Sequence, residues 1–257
     1  MSALSIERFG AGADLALVHG WGIGKAVWEG VVGSLAQRFR VHLIELAGYG
    51  KAPGNEASFA QTTQQLVESL PAGSILCGWS LGGLLAQHAA WLAPQQLSRL
   101  VLVASTPSFT QRGDWPQAQP RVLVDSFSAA LADDAAGTRQ RFFALHNHGD
   151  SRRRACTRVF GKLAATSPVD RAALGAGLDW LRDVDLRQQS QALTVPTLLI
   201  HGAADALIPM AAAQWLHGQL ADAQLAVFAG AGHAPFINDP GRFVRLVGDY
   251  CDASAAA

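Results

Sequence analysis

The sequence predicts an α/β fold in which a mostly parallel central sheet is flanked by helices and interrupted by one all-helical insertion. Three observations predict it. Six short apolar runs bounded by turn residues recur along the chain, helix-length segments separate them, and residues 109–186 carry no convincing strand pattern.

The apolar runs cover residues 15–18, 41–44, 74–77, 100–103, 197–200 and 225–228. Short, continuously apolar runs are the mark of strands buried on both faces, as in a parallel sheet. Their crossovers place helices on both sides, and sites then form at the carboxyl ends of the strands. Small and polar residues gather at those ends: His19-Gly20-Trp21-Gly22, Ala47-Gly48-Tyr49-Gly50, Gly78, Ser105, His201-Gly202 and Gly230. Within residues 109–186 the patterns read as helices over 121–132, 136–145, 152–164 and 171–181, punctuated by Pro116, Pro120, Gly149 and Pro168. The segment is too long for an ordinary crossover. It is expected to form a helical cap over the strand ends, with residues 1–108 and 187–257 as the core domain. The alanine-rich tail, residues 253–257, is expected to fray.

Composition narrows the function. The chain has 257 residues, 49% hydrophobic and 16% charged, with zero formal net charge, which suits a globular protein with a substantial core. No global field points to nucleic acid or an anionic membrane, and neither is expected as a partner. No apolar run approaches the ~18–20 residues of a membrane span, and the first residues show no signal-peptide pattern. Three scattered cysteines, Cys77, Cys156 and Cys251, suit a reducing compartment, so a cytoplasmic location is expected. A monomer is expected.

The chemistry-bearing constellation begins at Gly78-Trp79-Ser80-Leu81-Gly82-Gly83, which follows a strand and opens a helical pattern. That context is a nucleophile elbow, in which the serine sits on a strained turn at a helix N-terminus and the glycines permit close backbone approach. A serine hydroxyl needs a base, and the base needs an orienting group. In the order Ser, Asp, His, two further residues follow separate strands: Asp205 after His201-Gly202, and His233 within Gly230-Ala231-Gly232-His233-Ala234-Pro235. Asp205 would equally suit the N-cap of a helix over 206–216. Asp183 and Asp185 are rivals for the acid. The backbone N–H groups of Leu81 and Trp21 are the candidate oxyanion donors. His19 reads as a structural histidine bonding its own loop. His146-x-His148 lacks the further ligands of a metal site and reads as a solvated or substrate-facing loop. No phosphate-binding or dinucleotide-binding glycine motif is present, so no metal or cofactor is expected.

The insertion is strongly basic. Residues 139–162 hold Arg139, Arg141, Arg152, Arg153, Arg154, Arg158 and Lys162 against the single acid Asp150. Arg154 and Arg158, four apart, share a helix face. A basic rim beside Phe142-Phe143-Ala144-Leu145 suits an apolar substrate carried by something acidic, although a solvated helix face would look the same. Trp21, Trp79, Phe127, Phe142 and Phe143 could line the apolar slot or form the core of the insertion.

Several segments together resemble the pimeloyl-[acyl-carrier protein] methyl ester esterases of biotin synthesis, members of the α/β-hydrolase fold. They are Leu17-Val18-His19-Gly20-Trp21-Gly22, the elbow through Leu84, Asp114-Trp115-Pro116, Arg141-Phe142-Phe143-Ala144-Leu145, Val184-Asp185-Leu186-Arg187 and Gly232-His233-Ala234-Pro235-Phe236. The resemblance implies hydrolysis of a carrier-bound methyl ester through an acyl-enzyme on Ser80. It implies substrate contacts from Trp21, Ser80, Leu81, Phe142, Phe143, Ala144, Leu145, His146 and His233, and contacts to an acyl-carrier protein from Arg141, Arg154 and Arg158. Gly137 stands where it would place another arginine, and His146 where it would place a glutamine. A broad short-chain carboxylesterase or thioesterase remains open on the residues alone. So does a hydrolase-like receptor with slow turnover.

Overall fold

The computed structural model describes residues 4–54 and 56–252; the tail expected to fray lies outside them. Along the chain run β1 (Ser5–Phe9), β2 (Ala13–Val18), α1 (Glu29–Leu35), β3 (Phe39–Glu45), α2 (Phe59–Ser69), β4 (Ser74–Trp79), α3 (Leu81–Leu92) and β5 (Leu97–Val103). Then come α4 (Arg121–Asp133), α5 (Ala135–His146), α6 (Arg153–Thr166), α7 (Arg171–Asp183) and α8 (Arg187–Gln191). The chain closes with β6 (Thr197–Gly202), α9 (Met210–Gln219), β7 (Ala223–Phe228), α10 (Pro235–Asn238) and α11 (Pro240–Asp252).

The strands form one seven-stranded sheet in the order β1-β3-β2-β4-β5-β6-β7, parallel except for β1 against β3. Alternation along the strands explains the two-sided cover, because successive side chains point to opposite faces. Leu15, Leu17, Val41, Leu43, Ile75, Cys77, Val101 and Val103 enter one buried cluster. Their neighbours Ala16, Val18, Ile44, Leu76, Leu100 and Leu102 enter a second on the other face. Each large aliphatic side chain so buried contributes about 1.5–3 kcal/mol relative to exposure.

Two sequence expectations are corrected. The sheet has a seventh strand, β1, which is part-exposed along its length and carries no buried apolar run. The helix expected over 206–216 starts only at Met210, because Pro209 takes the N-cap position and residues 203–209 form a turn.

Between β5 and β6 the described residues hold α4 to α8 and no strand, only isolated bridges. Where this segment leaves and rejoins the sheet, Ser108 bridges Asp185 and Leu186 donates its N–H to the Pro107 carbonyl at 2.8 Å. The Asp-Trp-Pro motif staples the same place. Trp115 is buried and donates from Nε1 to the Ser108 carbonyl at 2.9 Å, while Arg187 lies over its ring and pairs with Asp114 at 3.0 Å.

Candidate active site

Ser80 links β4 to α3 with φ 55° and ψ −118°, a region costly for any residue but glycine. The turn is held by Ser80 N–H to the Val103 carbonyl at 3.0 Å and by Ser105 Oγ donating to the Ser80 carbonyl at 3.2 Å. Space explains the glycines. A Cβ on Gly82 would lie 2.5 Å from the carbonyl oxygens of Val18 and His19, and one on Gly20 would lie 2.9 Å from the Trp79 ring. Gln87, on the buried side of α3, donates to Ser105 Oγ at 3.1 Å and steadies the base of the elbow.

Three side chains from distant segments then align. Ser80 Oγ lies 2.8 Å from His233 Nε2, and His233 Nδ1 lies 2.8 Å from Asp205 Oδ2. Asp205 Oδ1 accepts N–H groups from Leu207 at 2.9 Å and Ile208 at 3.0 Å. The helix-cap alternative is thereby resolved: Asp205 closes a turn with one oxygen and meets His233 with the other. Burial alone would raise its carboxyl, but the His233 imidazole, His201 and the Ile208 N–H outweigh burial and hold it below the ordinary carboxylate range. The rivals are spoken for elsewhere. Asp183 pairs with Arg121 and Arg182, and Asp185 with Arg187 and Arg112.

The backbone of His233 is clamped from two sides. Its N–H donates to the His146 carbonyl at 3.0 Å, and its carbonyl accepts Trp79 Nε1–H at 2.8 Å. Trp79 in the elbow thus fixes the histidine loop. His19 donates from Nδ1 to the Gly20 carbonyl at 2.9 Å and accepts the Leu46 N–H at Nε2, which sets its tautomer and shapes the neighbouring loop. Among the described residues, the N–H groups of Trp21 and Leu81 make no protein hydrogen bond.

Of the two expectations for His146, a solvated or a substrate-facing loop, the structure removes the solvated loop. His146 ends α5, is 1% exposed, and packs among Trp79, Phe142, Phe143 and Phe160 with its ring 4.8 Å from that of His233. Burial first, then His233, holds its imidazole well below the ordinary value, so it is neutral. His148 is exposed. The i, i+4 spacing of Phe142 and His146 puts both on the face of α5 toward Trp21 and Trp79. Ala144 is exposed and instead lines a cleft of about 450 Å³ between α5 and α6 with Phe143 and Phe160, and Leu145 is half-buried. Arg141 is exposed and 3.7 Å from Asp134; Arg154 and Arg158 are exposed on α6 without a carboxylate within 4.0 Å among the described residues. Among those residues no group of three potential ligands is arranged for a metal, and no helix is long and apolar enough to cross a membrane.

Residues 15–240 match the family described as alpha/beta hydrolase fold. An esterase from Exiguobacterium antarcticum superposes with a TM-score of 0.88 at 23% identity, covering 96% of this chain and 94% of its own. A bromoperoxidase from Bacillus anthracis superposes at 0.85 and 20%, covering 95% and 93%. At such identity these share the fold alone. The pimeloyl-[acyl-carrier protein] methyl ester esterase of Aeromonas salmonicida is 40% identical over 249 residues, covering 95% of this chain and 98% of the relative. The chain belongs to that esterase family. The enzyme of the same name from Nitrosomonas europaea is 39% identical over 246 residues, with 95% and 98% covered. Carboxylic ester hydrolysis is the chemistry of this esterase family, and the Ser80–His233–Asp205 line has the geometry to perform it.

Gln87 carries no sequence signal for its place beneath the elbow: it belongs to no motif, and donating bonds to a neighbouring loop leaves no spacing pattern.

Proposed function

We propose that the protein hydrolyses the methyl ester of pimeloyl-[acyl-carrier protein], releasing methanol and the carrier-bound free acid, as its relatives' names say of them. The observation that carries the reading is the hydrogen-bonded line from Ser80 through His233 to Asp205, in a chain about 40% identical to these esterases.

Ser80 Oγ attacks the ester carbonyl while His233 Nε2 takes its proton. Asp205 stabilises the resulting imidazolium and keeps Nδ1 protonated. The N–H groups of Trp21 and Leu81 receive the oxyanion. His233 then protonates the departing methoxide. Water attacks the acyl-enzyme through the same base, and the tetrahedral intermediate expels Ser80. Ser80 is 5% exposed and His233 fully buried, which favours entry through a parting of the helices between residues 109 and 186, acting as a cap. Trp21, Phe142, Phe143, Leu145 and His146 would line the acyl path. Ala144, in the outer cleft, would meet the substrate only near its carrier end.

The exposed guanidinium groups of Arg141, Arg154 and Arg158 would receive the acidic carrier. Turnover of the carrier-bound ester beside a free short-chain ester tests the reading. A clear preference in kcat/KM for the carrier-bound ester supports it. Equal rates on both would make the protein a general esterase.

A further inference from the structure

The lone acid of the basic segment is buried. Asp150 sits in the turn between α5 and α6 at 7% exposure, with no cation within ion-pair distance among the described residues. Its carboxylate accepts instead from neutral donors. Oδ2 takes the Gly232 N–H at 2.7 Å, and Oδ1 takes the Arg152 N–H at 2.7 Å and Asn238 Nδ2–H at 2.8 Å. The Cys156 thiol, pushed up to about 11 by burial and by Asp150, stays protonated and points at Oδ1 from 3.8 Å. A buried carboxylate is costly unless it is hydrogen-bonded, and here both oxygens accept N–H donors.

The donors belong to the segment that carries His233. Gly232 precedes it, and Asn238 ends the short helix after it. Two more bonds join the same segments: Ser151 N–H to the Gly230 carbonyl at 2.8 Å, and Arg152 Nη1 to the Asn238 carbonyl at 2.5 Å. The contact is too tight for a side chain at 232, where a Cβ would lie 2.6 Å from the His146 carbonyl. Consecutive N–H groups of the histidine loop, at Gly232 and His233, are thus both held by residues of the helical insertion.

We propose that Asp150 is a positioning residue for His233, its carboxylate registering the histidine loop against the helical insertion so that Nε2 meets Ser80. This rests on His233 being the base of an ester hydrolase. It also ties the orientation of the base to α6, which begins three residues after Asp150 and whose outer face bears Arg154 and Arg158.

The test compares the full-length wild-type chain with Asp150→Ala, Asp150→Asn and Asn238→Ala on a small soluble p-nitrophenyl ester. Active sites are counted with a fluorophosphonate. Misplacing the base should lower kcat of Asp150→Ala at least about tenfold with KM changed less than about twofold, and should displace the acid limb of the pH profile. Asp150→Asn keeps an oxygen for the Gly232 N–H but sets its NH2 against the Arg152 N–H, so kcat should recover only in part, above alanine and below wild type. Asn238→Ala removes one of the two bonds from the histidine segment and leaves the Gly232 bond, so its kcat should fall between those of wild type and Asp150→Ala. A folded Asp150→Ala with wild-type kcat and pH profile overturns the proposal. So does an Asp150→Asn no better than alanine. If alanine does not fold, Asp150→Leu fills the same space and takes its place. Failure of both to fold makes Asp150 a residue of folding alone and also overturns the proposal. A wild-type chain that neither reacts with the fluorophosphonate nor turns over the ester would instead sink the hydrolase reading beneath it.

Discussion

Asp205 Oδ2 lies 2.8 Å from His233 Nδ1, while Asp205 Oδ1 is occupied by the N–H groups of Leu207 and Ile208. The carboxylate cannot swing away without breaking its own turn, so the imidazole is held with Nδ1 protonated and Nε2 free to accept the Ser80 proton. Asp205→Asn preserves the shape but can present an NH2 to Nδ1, favouring the wrong tautomer. A loss of about 10⁴ in kcat with little change in KM is expected in steady-state kinetics. A loss below about tenfold would mean that Asp205 only closes its turn.

The histidine loop and the elbow were legible in the sequence because each chemical residue follows its own apolar run, so strand ends alone bring Ser80, Asp205 and His233 to one edge of the sheet. The strand β1 was not legible. Ser5-Ile6-Glu7-Arg8-Phe9 lies on the sheet edge, half exposed, and its antiparallel pairing with β3 comes from backbone hydrogen bonds that any residues could make. His146 misled for a related reason. A histidine beside glycine and asparagine reads as loop, whereas the aromatic residues that bury it include Trp79 and Phe160, which are remote in sequence.

Buried imidazoles give stability a pH dependence. Burial holds His19, His146 and His201 below their ordinary value. The unfolded chain therefore binds protons that the folded chain refuses as pH falls below about 6.5, and stability declines by up to about 1.4 kcal/mol per pH unit for each histidine until its folded value is reached. Asp205, depressed when folded, adds a separate loss that begins only below about pH 4, toward its folded value. Urea unfolding between pH 7.5 and 5 should show the first decline, and His146→Gln should flatten it by about one proton. An unchanged slope would mean that His146 titrates alike in both states.

Charge reversal on the outer face of α6 should separate carrier docking from chemistry. Arg154→Glu with Arg158→Glu is expected to lower kcat/KM on the carrier-bound ester at least about tenfold at low salt and to weaken its salt dependence. Turnover of a small ester should be untouched. Equal losses on both substrates would place these arginines in the fold instead.

The elbow has no room at its second glycine. Gly82→Ala drives a Cβ to 2.5 Å from two backbone carbonyl oxygens, of Val18 and His19, which cannot yield without moving β2 and the Trp21 loop. Overpacking of this kind costs about 1–3 kcal/mol, and turnover should fall further as the Trp21 N–H is displaced. Thermal unfolding and kcat of the variant check both parts.

The most direct measurement is rapid-quench mass spectrometry of the enzyme mixed with carrier-bound pimeloyl methyl ester. The expected result is a transient acyl adduct on the peptide containing Ser80, methanol released in step with it, and neither in Ser80→Ala. Methanol release by folded Ser80→Ala at the wild-type rate, or an adduct on another residue, would contradict the assignment of Ser80 as the nucleophile.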